Sequence, residues 1–165
     1  MKIIFLLLCI TAALSCNNAT DKTQSLQNRI DSLQNKLAHT YKPGLGEFMG
    51  SIQVHHAKLW FAGQHQNWEL AAFEVDEIKE SLEDIPVYCS DRTEVQQLGM
   101  INPAIDSITN AVSAKNPQHF KSSFELLTAT CNNCHHATNH AFNVIKIPDT
   151  PPFSNQDFAP PVPIK

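Results

Sequence analysis

The apolar residues of the chain recur at helical spacing over most of its length. Ile3 to Leu14 is a nearly continuous apolar run behind the basic start Met1-Lys2, too short to span a membrane as a mature helix. A polar, glutamine-rich stretch follows, in which Leu26, Ile30, Leu33 and Leu37 alternate at spacings of four and three, an a/d seam of about two heptads. Pro43-Gly44-Leu45-Gly46 breaks the pattern. The next helix is expected over about Leu45–Gly63, with Leu45, Met49, Ile52, His56, Leu59 and Gly63 on one stripe. After a turn at Gln64–Asn67, a second helix aligns Trp68, Ala71, Ala72, Val75, Ile78, Leu82 and Ile85. Its other face, with Glu74, Glu77, Glu80, Glu83 and Asp84, reads as solvated, and Pro86 as its end. A third helix is announced by Asp91 with Glu94 three residues on, and buries Leu98, Ile101, Ile105, Ile108 and Val112. Pro103 must kink or split it, or Asn102-Pro103 starts a fresh helix. A fourth starts at Asn116-Pro117, lines up Phe120, Phe124, Leu127, Cys131 and Cys134, and runs to about His140.

Amphipathic helices joined by short connections predict an all-α fold, an antiparallel four-helix bundle over residues 43–145. A polar spacer with the short heptad helix precedes it over residues 16–42, and that helix either assembles copies through residues 26–37 or packs on the domain. A tail follows over residues 146–165, where six of the ten prolines exclude helix and central strand; either Phe153 and Phe158 strap it onto the bundle or it is a disordered end. Composition agrees: 42% apolar residues suit one packed domain in a chain of 165, and only 5 glycines favour helix. A net charge of −4 without a basic cluster argues against nucleic acid or an anionic membrane surface as partner.

The chemistry concentrates in Cys131-Asn132-Asn133-Cys134-His135, the C-x-x-C-H pattern of covalent c-type haem attachment. Residues three apart share a helix face, so both thiols can reach the vinyl groups of one porphyrin, and the adjacent imidazole can take the iron as proximal ligand. A zinc site would draw on Cys131 and Cys134 with His136 or His140, yet no second ligand pair has the usual spacing. A redox disulfide would want a thioredoxin-like βαβ pattern, which is absent from the sequence. No paired carboxylates, nucleophile with base, or phosphate loop stands out, so an enzyme is not expected.

At the N-terminus, Ala13-Leu14-Ser15-Cys16 after a signal-type apolar run resembles the lipobox of bacterial lipoproteins. The resemblance implies that residues 1–15 are a signal peptide and that Cys16 is the lipidated N-terminus, holding the protein to a membrane outside the cytoplasm as a periplasmic or cell-envelope lipoprotein. Ordinary secretory cleavage leads to the same side of the membrane. The five cysteines then divide without a disulfide: Cys9 leaves with the signal, Cys16 takes lipid, Cys131 and Cys134 take haem, and Cys89 is left over.

A helical bundle with C-x-x-C-H on its last helix resembles the class II c-type cytochromes, the cytochrome c′ and cytochrome c556 family. Most other c-type cytochromes carry the motif near the N-terminus. The resemblance covers about Pro43 to Ala141 and implies one covalent haem on Cys131 and Cys134 with His135 as proximal ligand. In low-spin members a methionine of the first bundle helix closes the iron, a role that falls on Met49, which as a plain core residue would need no such role. His56, or His55, is an alternative sixth ligand. The expected function is one-electron transfer to a redox partner that the sequence does not name. The alternatives are five-coordinate binding of nitric oxide or carbon monoxide, and a haem-free structural lipoprotein assembled by its heptad segment.

Overall fold

A computed structural model describes residues 21–37 and 39–162. The expectations for the signal run and for Cys16 lie outside the described residues. Among the described residues the fold is all-helical, without a strand, and no helix is long and apolar enough to cross a membrane. The chain divides between Lys42 and Pro43 into two units. In the first, residues 21–37 form helix α1, and its seam residues Leu26, Ile30, Leu33 and Leu37 are all exposed.

The second unit contains α2 (Leu45–Gln64), α3 (Trp68–Tyr88), a 3-10 helix (Thr93–Ile101), α4 (Asn102–Ser113) and α5 (Pro117–Ala137). The helix starts follow from local chemistry. The Glu47 carboxylate accepts from the Gly44 amide at 3.0 Å, and Asn67 Oδ1 accepts from the Leu70 amide at 3.2 Å. Asn116 Oδ1 accepts from the amides of Gln118 and His119 ahead of Pro117, the expected cap. α2 pairs with α3 and α4 with α5, and α3–α4 and α2–α5 contacts close the ring.

Some expectations change. Pro86 does not end α3 but sits in its last turn, and the helix closes two residues later with the Cys89 amide on the Ile85 carbonyl at 2.8 Å. The start of the third helix differs: the Asp91–Glu94 stretch opens a 3-10 helix, where Glu94 binds the Arg92 guanidinium at 2.6 Å instead of capping. The expected split at Pro103 is found, the α-helix starting afresh at Asn102 with Pro103 in its first turn, where the missing N–H costs nothing. α5 stops at Ala137, three residues before the expected end, and Asn139 at φ 62° turns the chain back. The solvated face of α3 also has an exception. Glu74 is 0% exposed, its Oε2 held by His55 Nδ1 at 2.6 Å, with Lys58 Nζ 3.9 Å from Oε1, while Ala72, expected on the buried face, is exposed.

The core lies where α2 and α5 meet near the α2–α3 turn. Gly63 is there because a Cβ would fall 2.0 Å from the Phe120 ring. Phe120 and Phe124 stack with each other and with Trp60, and Trp68 meets Phe120 edge-on. Leu59, Ala62, Ile108 and Leu127 complete this packing. The proline-rich tail runs back over it: Phe158 is buried against Phe61 at 5.6 Å, and Asn67 Nδ2 donates to the Ala159 carbonyl at 3.1 Å. Phe153 keeps about half its surface, with Lys58 Nζ 5.6 Å from its ring centre.

Candidate functional site

Followed away from the Phe120 layer, the same stripe of α2 stops being buried. Met49 and Ile52 are only half-covered, because at this end the helices enclose a cavity of about 440 Å³. One wall is α2, with Leu45, Met49, Ile52 and His56. The opposite wall is α5, with Leu127, Cys131, Cys134 and His135. Ile78 and Leu82 of α3 and Leu98 and Ile101 of the 3-10 helix close the sides, and Ile145 after α5 completes the rim. The 3-10 helix, unexpected from the sequence, therefore forms part of a wall.

This places Cys131, Cys134, His135, Met49 and His56 on one cavity, though the first three lie more than seventy positions from the last two. His55 is not among the lining residues. It faces α3, with Nδ1 on Glu74 and Nε2 3.7 Å from Glu77 Oε2. His56 is buried, its ring tilted against Phe124 at 4.4 Å, and its Nε2 meets Thr128 Oγ1 at 2.9 Å. Since Thr128 Oγ1 donates to the Phe124 carbonyl at 2.9 Å, it accepts from His56, so Nε2 carries the proton. Burial pushes the His56 pKa down to about 4, which keeps the imidazole neutral.

The motif residues sit on the last two turns of α5. His135 Nδ1 is 2.6 Å from the Asn143 carbonyl. A carbonyl only accepts, so Nδ1 holds a proton, and the neutral ring has its lone pair on Nε2. Burial, and then the neighbouring Cys134, push the Cys131 thiol up to about 11, and burial raises that of Cys134. Both are held as neutral thiols in a largely apolar space.

Some lining residues escaped the sequence reading. Gly46 and Gly50 flank Met49 one helical turn apart, both line the cavity, and a Cβ on either would meet nothing within 4 Å. Glycine costs a helix about 1 kcal/mol relative to alanine, so two in one exposed helix wall are a legible sign of close approach by another group. A polar corner is formed by Arg92, Glu94 and His140. Glu94 is held below the usual carboxylate range by its own backbone amide and by Arg92, and His140 Nε2 lies 3.9 Å from its Oε1. The sequence offered no signal for this corner, since Arg92 is the N-cap residue of the 3-10 helix, Glu94 lies in its first turn and His140 follows α5, far away along the chain.

The aromatic residues of the α2–α3 turn, Trp60, Phe61, Trp68 and Phe73, are absent from the cavity lining. The first three pack the closed end, and Phe73 is exposed. Cys89 is buried, with its thiol 3.8 Å from the Pro43 carbonyl. Among the described residues no three His, Cys, Asp or Glu side chains converge as a metal-holding group, which leaves a zinc reading of Cys131 and Cys134 without further ligands. Comparisons with protein-family models, with curated proteins and with solved structures find no match to this chain.

Proposed function

We propose that this chain is a mono-haem c-type cytochrome of the class II kind, a four-helix bundle that transfers single electrons outside the cytoplasm. The observation that carries the reading is the cavity that holds Met49 of α2 together with Cys131, Cys134 and His135 of α5. Its volume of about 440 Å³ falls in the range of cofactor pockets, and its walls are mainly aliphatic. The residues fit the group in three ways. Two thiols one helical turn apart suit thioether bonds to the vinyl groups. The Asn143 carbonyl takes the Nδ1 proton of His135, so the neutral ring would offer its lone pair at Nε2, the nitrogen an iron needs. Gly46 and Gly50 leave the α2 wall flat where a planar macrocycle would lie.

Bound there, haem supplies a one-electron couple. The chain's own residues then set its character. His135 would hold the iron from the α5 wall and Met49 would offer a thioether from the α2 wall, a pairing that would raise the potential and favour electron transfer over ligand binding. The histidine alternatives are less suited: His55 has both ring nitrogens turned to α3 carboxylates, and His56 has committed Nε2 to Thr128. The mainly aliphatic walls would surround much of the group and lower the dielectric around it. We further read Cys16 as lipidated, with residues 16–42 as the spacer between membrane and domain.

The test begins with the purified, exported protein. Haem staining after denaturation and a pyridine haemochrome are expected to be positive at one haem per chain. Zinc without haem, or neither, would overturn the proposal, and neither would favour the structural lipoprotein. The Met49→Ala variant then decides the sixth ligand. The wild type is expected to be low-spin and inert to carbon monoxide, and the variant high-spin and reactive once reduced. Rapid carbon monoxide binding by the wild type would replace electron transfer with the five-coordinate, gas-binding alternative.

A further inference from the structure

We propose that Asn132, the first variable position of the C-x-x-C-H motif, is a positioning residue for the proximal ligand, acting through the loop that follows α5. The inference rests on the haem reading and deepens it.

Motif spacing requires only that the two intervening residues allow a helical turn, and Asn133, the second of them, is exposed. Asn132 differs. It is half-buried, and its amide makes three hydrogen bonds. Oδ1 accepts from the Ile145 amide at 2.8 Å, while Nδ2 donates to the Ile145 carbonyl at 2.8 Å and to the Thr128 carbonyl at 3.1 Å. Both backbone polar groups of Ile145 are thus taken by one side chain thirteen positions upstream. Asparagine is suited to this, because its amide carries a donor and an acceptor side by side.

That two-point clamp closes a loop. After Ala137 the chain is held to α5 by Thr138 Oγ1 on the Cys134 carbonyl at 2.9 Å and by the His140 amide on the His135 carbonyl at 2.7 Å. The Asn143 amide reaches the His140 carbonyl at 2.8 Å, and Asn132 fastens the far end at Ile145. Between these fixings the Asn143 carbonyl accepts from His135 Nδ1 at 2.6 Å. Asn143 is itself exposed, so its carbonyl is kept in place by the closure of the loop rather than by burial.

A partner on the distal nitrogen of a ligating imidazole fixes its tautomer and orientation and raises its basicity. A more basic imidazole favours the oxidised iron. Loss of the clamp is therefore expected to let the Asn143 carbonyl drift, exchange that hydrogen bond for water and raise the reduction potential.

The experiment compares wild type, Asn132→Ala and the control Asn133→Ala as full-length, haem-loaded proteins, with covalent haem verified by pyridine haemochrome. Asn132→Ala is expected to raise the midpoint potential and to speed deuterium exchange of the hyperfine-shifted His135 Nδ1 proton about tenfold, the scale of one hydrogen bond. Asn133→Ala is expected to leave both unchanged. Unaltered potential and exchange in Asn132→Ala, with haem present, would overturn the role of Asn132 while leaving the cytochrome reading intact. Absence of haem from the wild type would remove both. Should Asn132→Ala fail to mature, the near-isosteric Asn132→Leu, which adds no charge and loses all three hydrogen bonds, is expected to shift both readouts in the same direction. An unchanged Asn132→Leu would then count against the proposal.

Discussion

α2 and α5 run past each other twice over, once at a closed end and once at a hollow one. At the closed end Gly63 lies under the Phe120 ring, Trp60 rests on Phe124, and Leu59 and Ala62 are completely buried. At the hollow end the same two helices present Met49, Ile52, Cys131 and His135 to a cavity. The residue types would not by themselves separate the two: each end has an apolar stripe at helical spacing. What differs is size and filling. Large aromatics from α5 reach across to a glycine at one end, whereas at the other α5 carries two cysteines and α2 carries two glycines, so the facing walls stand apart. One end is filled and supplies stability, while the other is left hollow.

The contrast is broken most directly by truncation. Phe124→Ala is expected to cost about 4 kcal/mol in urea unfolding, since it opens a void in a filled layer. Met49→Ala, on a wall already facing a cavity, is expected to cost less than about 1.5 kcal/mol of polypeptide stability. Equal losses would mean that Met49 is ordinary core. His56 lies between the two ends and probes the boundary by pH. Its folded pKa of about 4 is depressed from an ordinary 6.5, so the unfolded chain binds the extra proton first as pH falls. Stability from this group is therefore complete above pH 6.5 and declines toward pH 4, by about 3 kcal/mol in all. His56→Phe is expected to flatten that part of the urea-midpoint profile.

The glycines sharpen the comparison at smaller scale. Gly63→Ala is expected to destabilise by about 2 kcal/mol, because Phe120 cannot withdraw from a filled layer. Gly50→Ala, with open space at its Cβ, is expected to raise the thermal stability of the haem-free chain by up to about 1 kcal/mol through helix propensity. The same substitution is expected to lower haem yield if the macrocycle lies against α2. A gain in stability with undiminished haem would place the ring elsewhere in the cavity.

Much of the helix pattern was legible because it depends on neighbours in sequence. Asn116-Pro117 caps α5 as its residue types demand, and the stripe Phe120, Phe124, Leu127 needs only a period of 3.6 to be read. Pro86 was misplaced by a few residues because a helix about to end tolerates proline in its last turn. Glu74 was misread for a different reason. Its periodic position belongs to an acidic face, and only His55 and Lys58, on another helix, make its burial affordable. Gly46 and Gly50 carried a readable signal, two helix-weakening residues beside Met49, that acquires meaning only once they are known to line a wall.

Taken alone, the sequence determined most of the helices and the C-x-x-C-H motif, since the spacing of Cys131, Cys134 and His135 is a property of one turn of chain. It also brought forward Met49 as a candidate through the family resemblance. Tertiary structure decided which candidates share a cavity, that α2 is packed at one end and hollow at the other, and that His55 and His56 are engaged by Glu74 and Thr128. It decided too that Asn132 holds the strand of chain bearing the carbonyl on His135. These are relations between residues far apart in sequence. Local propensities act over one or two turns of helix, and partners more than ten positions away are chosen only when the helices pack.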